Sequence, residues 1–247
     1  MFGDLHDEYI DMNTSCGACG KTFSRTDALR RHERTHTMED HRFHCPASIM
    51  ISGCTSSGKT AFVKKLLDHP ELFEPRPNKV LYCYGAWQHL FEEMNVKNLE
   101  FHEGVPTQQD IDSFVNGKHN VVVLDDLMSD IVKDEDIQHL FTRGSHHKNL
   151  TVLYLTQNAF CQGKCARTIS LNCAYLVLFK NPRDVYQIRL MGRQIGLAQT
   201  LPEAYEDCME EKYGYLIVDL SPHHVGLPRL SSHIFPEDDY VIYRVYK

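Results

Sequence analysis

The chain has no long apolar run. Its longest stretch of aliphatic and aromatic side chains is Ala174-Tyr-Leu-Val-Leu-Phe179, far short of the roughly 18 residues that a membrane-spanning helix needs, so no membrane partner is expected. It has no basic, apolar leader either: Met1-Phe-Gly-Asp-Leu-His-Asp-Glu8 is acidic from the start, which departs from the secretory signal pattern and predicts an intracellular protein. Positive charge is in deficit, with 26 Lys/Arg against 33 Asp/Glu and a net charge of −7. Spread evenly, that balance would repel nucleic acid, so any contact with phosphate must rest on charge gathered locally. An even number of cysteines is also lacking. The nine present, some paired and some inside apolar stretches, read as metal ligands and buried thiols in a reducing compartment rather than as a disulfide framework. With 42% hydrophobic and 24% charged residues over 247 positions, the chain falls in the globular range and is long enough for one to two domains.

What is present begins with a ligand pattern. Cys16 and Cys19, then His32 and His36, give C-x2-C-x12-H-x3-H. Two cysteines so spaced fit a turn, and two histidines four apart share one helix face, so the four converge on a tetrahedral zinc ion. Phe23 and Leu29 supply a miniature core that could not fold without the metal. The segment resembles the two-Cys two-His zinc-finger family. In that family the base-facing helix positions correspond here to Arg25, Ala28 and Arg31, and five Lys/Arg against two Asp/Glu between Cys16 and His36 suit phosphate contact. One finger reads only about three base pairs, so docking on a protein partner stands beside docking on DNA.

The pattern then turns to alternating strands and helices. Ala47-Ser-Ile-Met-Ile-Ser52 is strand-like, and Gly53-Cys54-Thr55-Ser56-Ser57-Gly58-Lys59-Thr60 leads into a helical stretch. This is G-x-x-x-x-G-K-[ST] in its proper context, a loop whose backbone amides wrap phosphates. Lys59 is placed for the β- and γ-phosphates and the Thr60 hydroxyl for magnesium. Val121-Val-Val-Leu124 reads as a parallel strand buried on both faces, and it ends in Asp125-Asp126. Asp125 is assigned to magnesium and Asp126 to polarising the attacking water. Gln157, after the strand Leu150–Thr156, is placed to sense the γ-phosphate, and Arg143 to reach a neighbouring subunit's phosphate or to remain a solvated loop charge.

Together Gly53–Thr60, Leu81-Tyr-Cys-Tyr-Gly85, Val121–Asp126, Leu140–Gln157, and Arg167–Asn172 through Phe179-Lys-Asn-Pro-Arg-Asp184 resemble the packaging ATPases of polinton-type transposons and adintovirus-like DNA viruses, in the FtsK–HerA lineage. The resemblance spans about Phe43 to Pro236. It implies an ASCE-type sheet with an extra strand between the phosphate-loop strand and the Asp125 strand. It also implies a homo-oligomeric ring, of hexameric type, and movement of double-stranded DNA driven by ATP with magnesium. It matches Gln157 to the lineage's strand-end glutamine and Arg143 to its arginine finger, whereas Asp126 stands where a glutamate is usual.

The expected architecture is therefore an α/β P-loop domain, mostly parallel with helices on both faces, over residues 46–247. An N-terminal tail over 1–13, a small ββα zinc finger over 14–38 and a linker over 39–45 precede it. The finger would dock the motor on DNA, a capsid or another protein. The competing function is a zinc-finger DNA-binding regulator whose P-loop domain uses nucleotide as a switch. Nuclear residence would suit either, although no dense basic run marks it. Between residues 141 and 195 lie eight Lys/Arg and one Asp/Glu, the one strongly basic segment and the expected DNA-facing surface.

Overall fold

The computed structural model describes residues 32–34, 42–127, 140–141, 148–160, 164–222 and 229–243. Its frame is a set of short strands rich in Val, Ile, Leu and Tyr: β3 (Ser48–Ser52), β5 (Val80–Tyr84), β7 (Asn120–Asp125), β8 (Leu150–Thr156) and β9 (Tyr175–Phe179). β3, β7, β8 and β9 are buried at every position, as parallel strands covered on both faces should be. With β6 (Leu99–Glu103) at the edge, they pair in the parallel order β6-β5-β7-β8-β3-β9. β8 thus separates the phosphate-loop strand from the Asp125 strand, the arrangement that the resemblance implies.

Alternate side chains feed two cores. Ile49, Ile51, Val121, Val123, Leu153, Leu155 and Val177 face one layer. Helix α1 (Lys59–Asp68) covers it with Phe62, Val63, Leu66 and Leu67, an apolar stripe at helical spacing. Met50, Val122, Leu124, Val152, Leu176 and Leu178 face the other layer, where α2 (Gln108–Phe114), α3 (Lys164–Asn172), α4 (Val185–Gln194) and α5 (Thr200–Cys208) pack. A capping box starts α2: Thr107 Oγ1 accepts from the Asp110 amide at 3.2 Å, and Asp110 Oδ2 accepts from the Thr107 amide at 2.8 Å. Cys83, Cys173 and Cys208 are free thiols inside the core, each pushed up to about 12 by burial, as expected of unreactive structural cysteines.

The sheet is mixed rather than nearly all parallel. Beyond β9 it continues antiparallel through β10 (Tyr215–Asp219), β11 (Arg229–Ser232) and β12 (Val241–Tyr243). The short connections between β10, β11 and β12 allow only antiparallel neighbours, since a parallel crossover needs a dozen or more residues. A tenth strand, β1 (His32–Arg34), pairs with β12 through His32↔Tyr243 and Arg34↔Val241. The zinc-finger reading puts His32 on a helix; the backbone here is extended, satisfying the outer edge of β12 that would otherwise be unpaired. Cys16, Cys19, His36, Arg25, Ala28 and Arg31 lie outside the described residues, and among the described residues no cluster of three or more metal-ligating side chains occurs.

Phe43, which the sequence reading leaves in the linker, is fully buried. It meets Tyr175 edge-on at 5.0 Å between ring centroids, and its strand β2 (Phe43–His44) pairs with β4 (Phe73–Glu74). The Tyr175 hydroxyl accepts from the His44 amide at 3.0 Å. Tyr175→Phe removes that hydrogen bond and should lower unfolding stability by about 1 kcal/mol in denaturant titration.

Candidate functional site

At the end of β3 the chain makes the loop Gly53–Gly58 and enters α1. The Gly53 amide donates to Thr156 O at the tip of β8 (3.3 Å), and the Cys54 amide to Lys180 O just past β9 (3.2 Å). The loop is pinned to the strands on both sides of its own. Gly53 must lack a side chain, because a Cβ there would lie 2.5 Å from Phe179 Cβ and 2.6 Å from Ser57 Oγ. Gly58 precedes the helix at φ 106, a left-handed conformation that favours glycine. Thr55 and Ser56 are exposed at the crest, whereas Ser57 is buried with its hydroxyl lacking a hydrogen-bond partner.

Lys59 Nζ folds back over the loop and donates to Gly53 O at 2.7 Å and Cys54 O at 2.9 Å. An ammonium has three donors, so one remains for an anion. Burial lowers the Lys59 pKa, opposed by the negative charge of Asp125. Asp125 ends β7 and is only 4% exposed. Its Oδ2 accepts from the Tyr82 hydroxyl at 2.8 Å and from the Thr60 hydroxyl at 3.2 Å. Burial raises the Asp125 pKa, while the two hydroxyls and Lys59 oppose the rise. A tight glycine loop before a helix, a lysine, a hydroxyl and a buried carboxylate fit a magnesium-bound nucleotide: the loop and Lys59 for phosphates, Thr60 and Asp125 for the metal.

The other expected residues fall around this centre. Asp126 follows Asp125, exposed, at φ 57, and the approach of its carbonyl leaves no room for a side chain at Gly85, where a Cβ would sit 2.6 Å away. Gln157 is exposed at the tip of β8, between the loop strand and the Asp125 strand by sheet order. Arg143 lies outside the described residues. Of the basic segment, Lys148 pairs with Asp112, Arg189 with Glu206 at 3.4 Å, and Lys180 Nζ donates to Met209 O at 3.5 Å. Arg183, Arg189 and Arg193 are exposed on or beside α4.

Two features carry no assigned role in the sequence reading. Tyr82 lies opposite Val123 in the β5–β7 register, two positions before Asp125 and so on the same face. A fully buried phenol in the strand beside a buried carboxylate is the signal that points to it. Asn181 Nδ2 donates to Gln157 O at 3.1 Å and to Asp184 Oδ2 at 2.9 Å, and the Asn181 amide donates to the Tyr205 hydroxyl at 2.9 Å. This network ties the tip of β8 to the end of β9.

No protein-family model matches the chain, and no curated protein does. Solved structures give remote likenesses. The genome packaging NTPase B204 from Sulfolobus turreted icosahedral virus 2, in complex with ATP-gammaS, is 12% identical with a TM-score of 0.45, over 74% of this chain and 96% of that one. The flagellar accessory protein FlaH from Methanocaldococcus jannaschii is 12% identical at a TM-score of 0.40, over 81% and 90% of the two chains. The KaiC-like protein PH0186 from Pyrococcus horikoshii is 11% identical at a TM-score of 0.37, over 80% and 90%.

The buried carboxylate sets a pH signature. Its pKa is raised on folding, so the folded state binds its proton more tightly than the unfolded state, and ionisation costs stability as pH climbs from the ordinary carboxylate value through the raised one. Asp125→Asn should therefore raise the melting temperature of the nucleotide-free protein at neutral pH. The gain should disappear when the scan is repeated below the ordinary carboxylate range.

Proposed function

We propose that the chain is an ATP-hydrolysing motor subunit that moves double-stranded DNA. The observation that carries the proposal is the Lys59–Thr60–Asp125 constellation at the mouth of a pinned phosphate loop. The loop amides and the α1 N-terminus hold the β-phosphate, and Lys59 spans the β- and γ-phosphates. Magnesium, held by Thr60 and Asp125, would neutralise charge on those same oxygens. Asp126 takes the proton of the attacking water, whose oxygen bonds to the γ-phosphorus as the bond to the β-phosphate bridge breaks, leaving ADP and phosphate. Gln157 orients that water, and Arg143 supplies positive charge across a subunit interface in a ring. Arg183 and Arg193, exposed on or beside α4, are the DNA-facing charges, whereas Lys148 and Arg189 are paired with Asp112 and Glu206.

Purified protein should hydrolyse ATP, and Lys59→Ala should reduce the rate by roughly 100-fold or more. Long double-stranded DNA should stimulate wild type. Nucleotide binding without Lys59-dependent turnover would instead favour the regulator with a nucleotide switch, and turnover indifferent to DNA would remove the DNA-moving role.

The N-terminal ligand pattern is proposed as a zinc-held docking element for DNA, a capsid or another protein. If Cys16, Cys19, His32 and His36 bind the ion, the full chain should carry one zinc per subunit by elemental analysis, lost in Cys16→Ser. A zinc-free wild type would leave the strand at His32–Arg34 as the working conformation of that segment.

A further inference from the structure

We infer that Tyr213 is the platform on which the base of the bound nucleotide stacks. The inference rests on the nucleotide-site reading above. Tyr213 lies in the turn between α5 and β10, yet its Cβ and ring Cδ1 are both 3.3 Å from where a Cβ on Gly58 would sit. The ring therefore flanks the last residue before Lys59. Phe179 of β9 approaches the same point at 3.5 Å, so Tyr213 stands on the β9 side of the loop. Asp125 and the tip of β8 lie on the other side, by the strand order β7-β8-β3-β9. A nucleotide whose γ-phosphate end is directed at Thr60 and Asp125 must leave the loop with its nucleoside toward the opposite flank, and Tyr213 is there.

Two further observations set this tyrosine apart. It is 58% exposed, although it adjoins a core that takes up Tyr205 and Tyr215 on either side of it in sequence. Its backbone is left-handed at φ 63, an outlying and strained conformation for a bulky side chain. A strained, exposed aromatic against a phosphate loop is unexplained by packing. It is explained by a flat ligand: any base has a π-face, and such stacking is tolerant of base identity. Lys212 Nζ, 4.9 Å from the ring centroid, adds positive charge beside the same ring.

The test compares a ligand with a base and one without. Calorimetric titration of the full chain with magnesium and either ATP or inorganic triphosphate gives an affinity ratio for wild type, Tyr213→Ala, Tyr213→Gly, Tyr213→Phe and Lys59→Ala. Tyr213→Gly relieves the left-handed strain and so keeps the turn folded. Stacking predicts that the ATP-to-triphosphate ratio falls roughly tenfold in the Ala and Gly variants and stays near wild type in Tyr213→Phe. An unchanged ratio in both ring-deleted variants, with binding still lost in Lys59→Ala, overturns the Tyr213 assignment and leaves the nucleotide site standing. Wild type that binds neither ligand overturns both.

Discussion

Everything at the site depends on how the phosphate loop is held by its neighbours' backbone. The Gly53 amide is fixed to the end of β8 and the Cys54 amide to the chain just beyond β9, so the loop is shaped by strands on both sides as well as by Lys59 folded back over it. That pinning works only if β8 and β9 both flank β3, which the sheet order provides. It also requires Phe179 to approach so closely that residue 53 can carry no side chain. A loop preset in this way has little reorganisation left to pay when an anion arrives, which is what makes backbone amides effective against developing charge.

The second constraint is the cost of Asp125. A carboxylate at 4% exposure is expensive unless paired and hydrogen-bonded. The fold meets the cost with Tyr82, Thr60 and the nearby charge of Lys59. The compensation is incomplete, since burial still raises the pKa. The residual cost is one that a divalent cation held by Asp125 would relieve. The Asn181–Asp184–Tyr205 network does comparable work on the other side, holding the backbone of Gln157 while leaving its side chain exposed.

The loop and the Asp125 strand were legible because each is local: a glycine pattern between a strand and a helix, and four apolar β-formers before an acid. The extra strand was legible only through the family resemblance, since strand order is a matter of long-range pairing that no local pattern encodes. Tyr82 was not assigned a role because its partner is 43 residues away, in a strand where its phenol reads as an ordinary β-former. The antiparallel end of the sheet was illegible for a related reason. Its strands are short, and nothing in Val241–Tyr243 says on which neighbour they pair. At His32–Arg34 a helical ligand spacing met a free sheet edge, and the described backbone follows the edge.

Charge shows most clearly how a linear reading errs. Counted along the chain, residues 141–195 hold eight cationic side chains and one acid, which suggests an unopposed positive surface. Folding brings acids from elsewhere against it: Asp112, from α2, takes Lys148, and Glu206, from α5, takes Arg189. Both pairs are partly solvent-exposed, so they add little stability, but each lowers the local positive field. The effective positive surface is thus smaller than the count and is set by the elements that pack beside α4. On the proposed reading, and with net charge −7, affinity for DNA would come from a few arginines repeated by several subunits rather than from one strongly basic face, because each phosphate contact alone contributes only one step of counterion release.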